Sequence, residues 1–134
     1  VTNGYEIGEE TYFDGGLVDS IPLQRALQDG CAKAIVILTQ HKGFVKEPMN
    51  EHLEKLFRQY PLVGKAVVER HNMYNKQLEF VRAMEAEGRA LVIQPFTPLN
   101  CNALEKNTEK LEAIYQLGYT QGLYNIDKVK EFLK

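Results

Sequence analysis

The sequence predicts an α/β fold, and three observations carry that expectation. Ile35–Leu38, within Lys33–Thr39, is a run of four large apolar residues without alternation, as expected of a strand covered on both faces in a parallel sheet under helices. Ala90–Ile93 is a second short apolar run, stopped by Pro95. Around both, apolar residues recur at helical spacing in segments bounded by capping residues, glycines and prolines.

In chain order, residues 2–7 and 10–13 read as two short strands with Tyr5, Ile7, Tyr12 and Phe13 as their bulky members. Gly8-Glu9 between them suits a two-residue hairpin turn with glycine first. The second strand runs into Asp14-Gly15-Gly16, where paired glycines allow backbone conformations closed to other residues. Asp19-Ser20 offers a cap and Pro22 a first turn for a helix carrying Leu23, Ala26 and Leu27, which Gly30 ends. The order strand, Asp-Gly-Gly turn, helix, buried strand makes one α/β unit.

Residues 41–48 are polar and loop-like. Asn50 is placed to cap a helix with Leu53, Leu56, Phe57 and Tyr60 on one face, ended by Pro61. A longer helix follows from about Leu62 to Glu87, with Val63, Val67, Tyr74, Leu78 and Val81 inward and Gly88 after it. The polar stretch Arg70–Asn75 in its middle suggests a break. After the second buried strand, Thr108 reads as the cap of a helix with Leu111, Ile114 and Tyr115 inward, ending near Gly118. A last helix from Asp127 would dock through Val129, Phe132 and Leu133. No internal repeat or linker stands out.

Composition narrows the function classes. Sixteen basic and eighteen acidic side chains give a formal charge of -2 over 134 residues, without the basic stripe that nucleic-acid binding requires. No apolar run approaches the roughly 20 residues of a membrane span, so no transmembrane segment is expected. Cys31 and Cys101 are expected to be free thiols of a reducing cytosol. Neither they nor His41, His52 and His71 show metal-ligand spacing, so neither metal nor cofactor is expected. The polar faces of the helices carry few basic residues for docking on a membrane.

Asp14 is the residue with chemistry to weigh. A carboxylate on a glycine-bounded turn at a strand end projects from the rim of a sheet, where α/β proteins place their sites. The same residue also shapes turns by bonding its own backbone, and spacing alone leaves both readings open.

The longer string Tyr12-Phe13-Asp14-Gly15-Gly16-Leu17-Val18-Asp19-Ser20-Ile21-Pro22-Leu23 resembles the aspartate block of patatin-like phospholipases, and Ala32–Thr39 resembles the strand that follows it there. The resemblance continues, in a subgroup of short bacterial members, through Lys42-Gly43, Arg70-His71, Tyr74-Asn75 and Glu105-Lys106. It implies the C-terminal part of a three-layer α/β/α fold. Residues 1–43 would close the catalytic domain, and residues 44–134 would form a mostly helical C-terminal region packed on it. It also implies a Ser-Asp dyad in which Asp14 is the catalytic base, supported by Gly15 and Gly16. His41 and His71 are then not required, and Lys42-Gly43 and Arg70 read more simply as a solvated loop and a helix break than as the substrate mouth.

That chemistry is acyl transfer from a lipid or other acyl ester through a covalent serine intermediate. A carboxylate ordinarily titrates near 4 and is a weak base, so partial burial of the aspartate is expected. The serine elbow and the glycine-rich oxyanion loop are not in this chain. Its single serine, Ser20, lacks the Gly-x-Ser-x-Gly setting and reads as a helix cap. In such enzymes both elements lie upstream of the aspartate block, so the missing N-terminal half of the protein is the expected partner, and Val1 in place of an initiator Met points the same way. A fragment of this kind is expected to expose apolar surface or an unpaired sheet edge and to self-associate through it. A cytoplasmic location, with peripheral membrane contact, fits this reading. Two rivals stand beside it: a complete, non-catalytic α/β binding or regulatory domain, and a degenerate hydrolase.

Overall fold

The computed structural model describes residues 4–102 and 104–134, so residues 2 and 3 of the expected first strand lie outside the described residues. The architecture is mixed α/β, dominated by helix, with two separate two-stranded sheets. The chain groups into two compact units, Val1–Arg25 with Val45–Phe80, and Ala26–Phe44 with Val81–Lys134. Each unit is built from two separate stretches of the sequence.

In the first unit, β1 (Tyr5–Ile7) and β2 (Glu10–Tyr12) form an antiparallel hairpin in which Ile7 pairs with Glu10 across Gly8-Glu9. Gly8 sits at φ +64°, the left-handed conformation that the turn requires. A 3-10 turn follows at Gly15–Leu17. Helix α1 (Leu23–Gln28) then begins with Leu23 buried. Gly30 ends it at φ +102°, and the Cys31 N–H closes on the Ala26 carbonyl at 3.1 Å.

Asn50 caps a 3-10 segment, Glu51–Phe57, where an α-helix was expected. Its Leu56 is exposed, while Leu53, Phe57 and Tyr60 are half-buried. Pro61 opens α2 (Pro61–Ala86), as its locked φ and missing N–H suit a first helical position. The helix runs unbroken through Arg70–Asn75, against expectation. Val67 and Leu78 are buried in the first unit, and Val81 and Met84 in the second.

In the second unit, β3 (Ala34–Ile37) and β4 (Ala90–Ile93) pair in parallel, Ala34 with Ala90 through Ile37 with Ile93. Gly88, at φ +71°, ends α2 with the Arg89 N–H on the Met84 carbonyl. Among the described residues, the expected cover on both faces of β3 is absent. Val36 and Leu38 are each 8% exposed, whereas Ile35 is 36% and Ile37 75% exposed. Helix α3 (Thr108–Phe132) packs on β4. Its cap is Asn107, whose side chain accepts from the Lys110 N–H, not Thr108.

Helix α3 is also one helix where two were expected. Neither Gly118 nor Gly122 takes a positive φ, and an interior glycine costs a helix only about 1 kcal/mol, too little to end it. Leu111, Tyr115 and Leu133, expected inward, are exposed, while Ile114, Val129 and Phe132 are half-buried. No helix among the described residues is long and apolar enough to cross a membrane.

Candidate functional site

The candidate site is built in the first unit. Phe13 leaves β2 and sets its ring edge-on to Tyr60, centroids 5.0 Å apart. Asp14 follows in an extended conformation, φ -54° and ψ 119°, with Oδ1 accepting the Gly16 N–H at 2.8 Å. The Leu17 N–H closes on the Asp14 carbonyl at 3.0 Å, so the carboxylate caps its own 3-10 turn. Asp14 is exposed, not partly buried as expected for a base. Among the described residues, Oδ2 has no hydrogen-bond partner.

The glycines serve differently from the expectation. Neither takes a left-handed conformation. A side chain at Gly16 would instead place its Cβ 3.1 Å from Asp14 Oδ1 and 3.5 Å from Arg70 Nη2. Gly16 therefore leaves space for the carboxylate oxygen, with the guanidinium at ordinary van der Waals distance, while Gly15 faces open space.

Three polar side chains of α2 hold two loops, two of them the Asp14 loop. Arg70 Nε donates to the Gly16 carbonyl at 2.9 Å, and Nε and Nη2 each approach Ser20 Oγ at 3.4 Å. Ser20 Oγ in turn donates to the same Gly16 carbonyl at 2.6 Å. Ser20 is thus a loop brace, and the helix-cap reading of it is corrected. Gln77 accepts the Ile21 N–H at 3.0 Å and donates to Asp19 Oδ1. Asn75 clasps Lys46, accepting its N–H at 2.8 Å and donating to its carbonyl at 3.0 Å. The polar middle of α2 is where the helix grips two loops, which explains why it does not break.

The clasp sets the Lys46 ammonium 5.5 Å from the centre of the Tyr74 ring. Burial and then the neighbouring Arg70 charge lower the Lys46 pKa, because both disfavour its cation. Burial raises the Tyr74 pKa, with Arg70 opposing it. Beside this cationic corner lies a cleft of about 490 Å³, lined by Leu17, Met49, Leu53, Phe57, Val67 and Arg70 among others. Leu17 and Arg70 join this apolar cleft to the Asp14 turn.

The histidines stay apart from this arrangement. His71 Nδ1 bonds the Val68 carbonyl of its own helix at 2.9 Å. His41 and Lys42-Gly43 belong to the second unit, where His41 meets Phe44 edge-on. Cys31 and Cys101 are free, and no group of potential metal ligands assembles among the described residues.

Residues 60–134, more than half of the chain, match the family model described as a domain of unknown function (DUF6363). The chain belongs to the DUF6363 family. No curated protein and no solved structure matches it. The DUF6363 region opens at the turn into α2 and contains Arg70, Asn75 and Gln77, whereas Asp14, Gly16 and Ser20 precede it. The family region thus supplies the clamp, and the residues before it supply the loop that is clamped. Sequence reasoning missed Gln77 and Asn75 as braces. The one available signal was a cluster of polar, hydrogen-bonding side chains inside a helix that otherwise needed none.

Proposed function

We propose that this DUF6363 chain is the base-bearing half of a patatin-like serine acyl hydrolase, acting on a lipid or other acyl ester. The observation that carries the reading is the state of Asp14: one oxygen is fixed by the Gly16 N–H, the other is unengaged among the described residues, and the turn borders an apolar cleft. A base needs an open lone pair aimed by a rigid support. Arg70, Ser20 and Gln77 brace the loop for that purpose.

In the proposed reaction a serine supplied by the N-terminal half of the protein passes its proton to Asp14 Oδ2 as its oxygen attacks the ester carbonyl. The tetrahedral intermediate collapses to an acyl-serine and releases the alcohol, which takes the proton back from Asp14. Water, deprotonated by the same carboxylate, then attacks the acyl-serine, and Asp14 returns that proton to the departing serine oxygen as the acid is released. The N-terminal half also brings the cover that Asp14 lacks here, excluding water and raising its basicity. In the same reading β3 and β4 are two strands of a larger parallel sheet in a three-layer fold, and Ile35 and Ile37 lie beneath its missing layer. A cytoplasmic enzyme working at a membrane surface accords with this substrate class.

A second reading rests on the Asp14–Gly16 bond itself, which makes the carboxylate a turn-former in a binding or degenerate domain. Asp14→Asn separates the two. The amide oxygen still accepts from the Gly16 N–H, so the turn survives, and only the base is removed. Under the first reading the full-length protein hydrolyses an ester and the variant loses that turnover; under the second neither protein turns the ester over above background.

A further inference from the structure

Helix α3 exposes more apolar surface than its own unit covers. Its packed side carries Ile114, Gln121 and Phe132. Along another side runs an open seam of Leu111, Tyr115, Tyr119, Ile126 and Leu133, each between 41% and 63% exposed. Gly118 and Gly122 sit midway along the helix, and a Cβ at either would meet nothing.

The charges beside this seam identify what it fits. Glu112 and Lys130 are eighteen residues apart, which at about 3.6 residues per turn is five whole turns. They therefore project in the same direction, along one flank of the seam. Two helices packed antiparallel about a two-fold axis bring matching flanks together. Glu112 then meets Lys130 of the second copy and Lys130 meets its Glu112, both pairs forming at once. The axis passes residue 121, next to the two glycines, where the backbones are freest to approach. Both charges are exposed and their partners lie on α3 itself: Lys130 meets Asp127 at 3.6 Å, and Glu112 accepts from Gln116.

We infer that α3 is a self-complementary docking surface for a second copy of this chain, joined antiparallel about Gly118–Gly122 with reciprocal Glu112–Lys130 pairs. The surface lies wholly within the DUF6363 region and does not depend on the hydrolase reading.

The test is the association of the 134-residue chain followed by analytical ultracentrifugation over a concentration and salt series. The wild type should dimerise, more weakly at high salt. Glu112→Lys and Lys130→Glu should each weaken the dimer at least about tenfold by setting like charges together, and the double variant should recover to within about threefold of wild type. Ile37→Asp, on the exposed face of β3, should leave the dimer intact. Circular dichroism checks that each variant keeps its helix. A monomeric wild type, single variants that associate as tightly as wild type, a double variant as weak as the singles, or dissociation by Ile37→Asp would each overturn the proposal.

Discussion

The guanidinium of Arg70 holds the carbonyl of Gly16 at 2.9 Å, tying the middle of a long helix to the loop that presents Asp14. Ser20 donates to the same carbonyl, so its two lone pairs are both used. Arg70→Met keeps the stem of the side chain and removes the donor. A hydrogen bond from a charged group contributes about 1.5–3 kcal/mol. With Ser20 still in place, the loss should fall near the lower end, read as a reduced urea midpoint at unchanged slope.

The two glycines after Asp14 should differ sharply on substitution. Gly15→Ala enters open space at an ordinary φ and should change stability by no more than about 0.5 kcal/mol. Gly16→Ala sets a methyl 3.1 Å from Asp14 Oδ1, so the carboxylate must give by a few tenths of an ångström, and it should cost more than Gly15→Ala. Thermal melts of the two variants compare them directly. Equal effects would mean that the space at Gly16 is not what holds the carboxylate in place.

A third expectation concerns acid. The Lys110 ammonium, followed by the N–H groups of Asn107 and Lys106, holds the Glu105 carboxyl below its usual 4.5. Because the folded value is depressed, the stabilisation is present above 4.5 and is lost as pH falls through the folded value. Unfolding free energy should therefore decline on acidification below about pH 4.5, the ordinary carboxylate value. In Glu105→Gln this part of the acid slope should vanish, as measured by denaturation at stepped pH.

Local chemistry made much of this fold legible in the sequence, and long-range chemistry hid the rest. The hairpin at Gly8 and the helix ends at Gly30 and Gly88 were readable because each is set by a positive φ that glycine alone takes cheaply. The parallel pair of β3 and β4 was readable from two unalternating apolar runs. The continuity of α2 was not, because Arg70, Asn75 and Gln77 are polar for partners far away in the chain. Nor was the course of α3, where Gly118 resembled an ending. At the site, Asp14 stood out through its motif, but its exposure and its bond to the Gly16 N–H depend on geometry that no motif encodes.

The most direct test of the proposed function compares ester turnover by the full-length protein, its Asp14→Asn variant and the 134-residue chain alone, on a chromogenic short-chain ester. The account expects activity only in the full-length protein. Asp14→Asn should fall by about a thousandfold or more with its melting temperature preserved, as loss of a general base alone entails. Undiminished turnover in Asp14→Asn, or hydrolysis by the isolated chain, would contradict it.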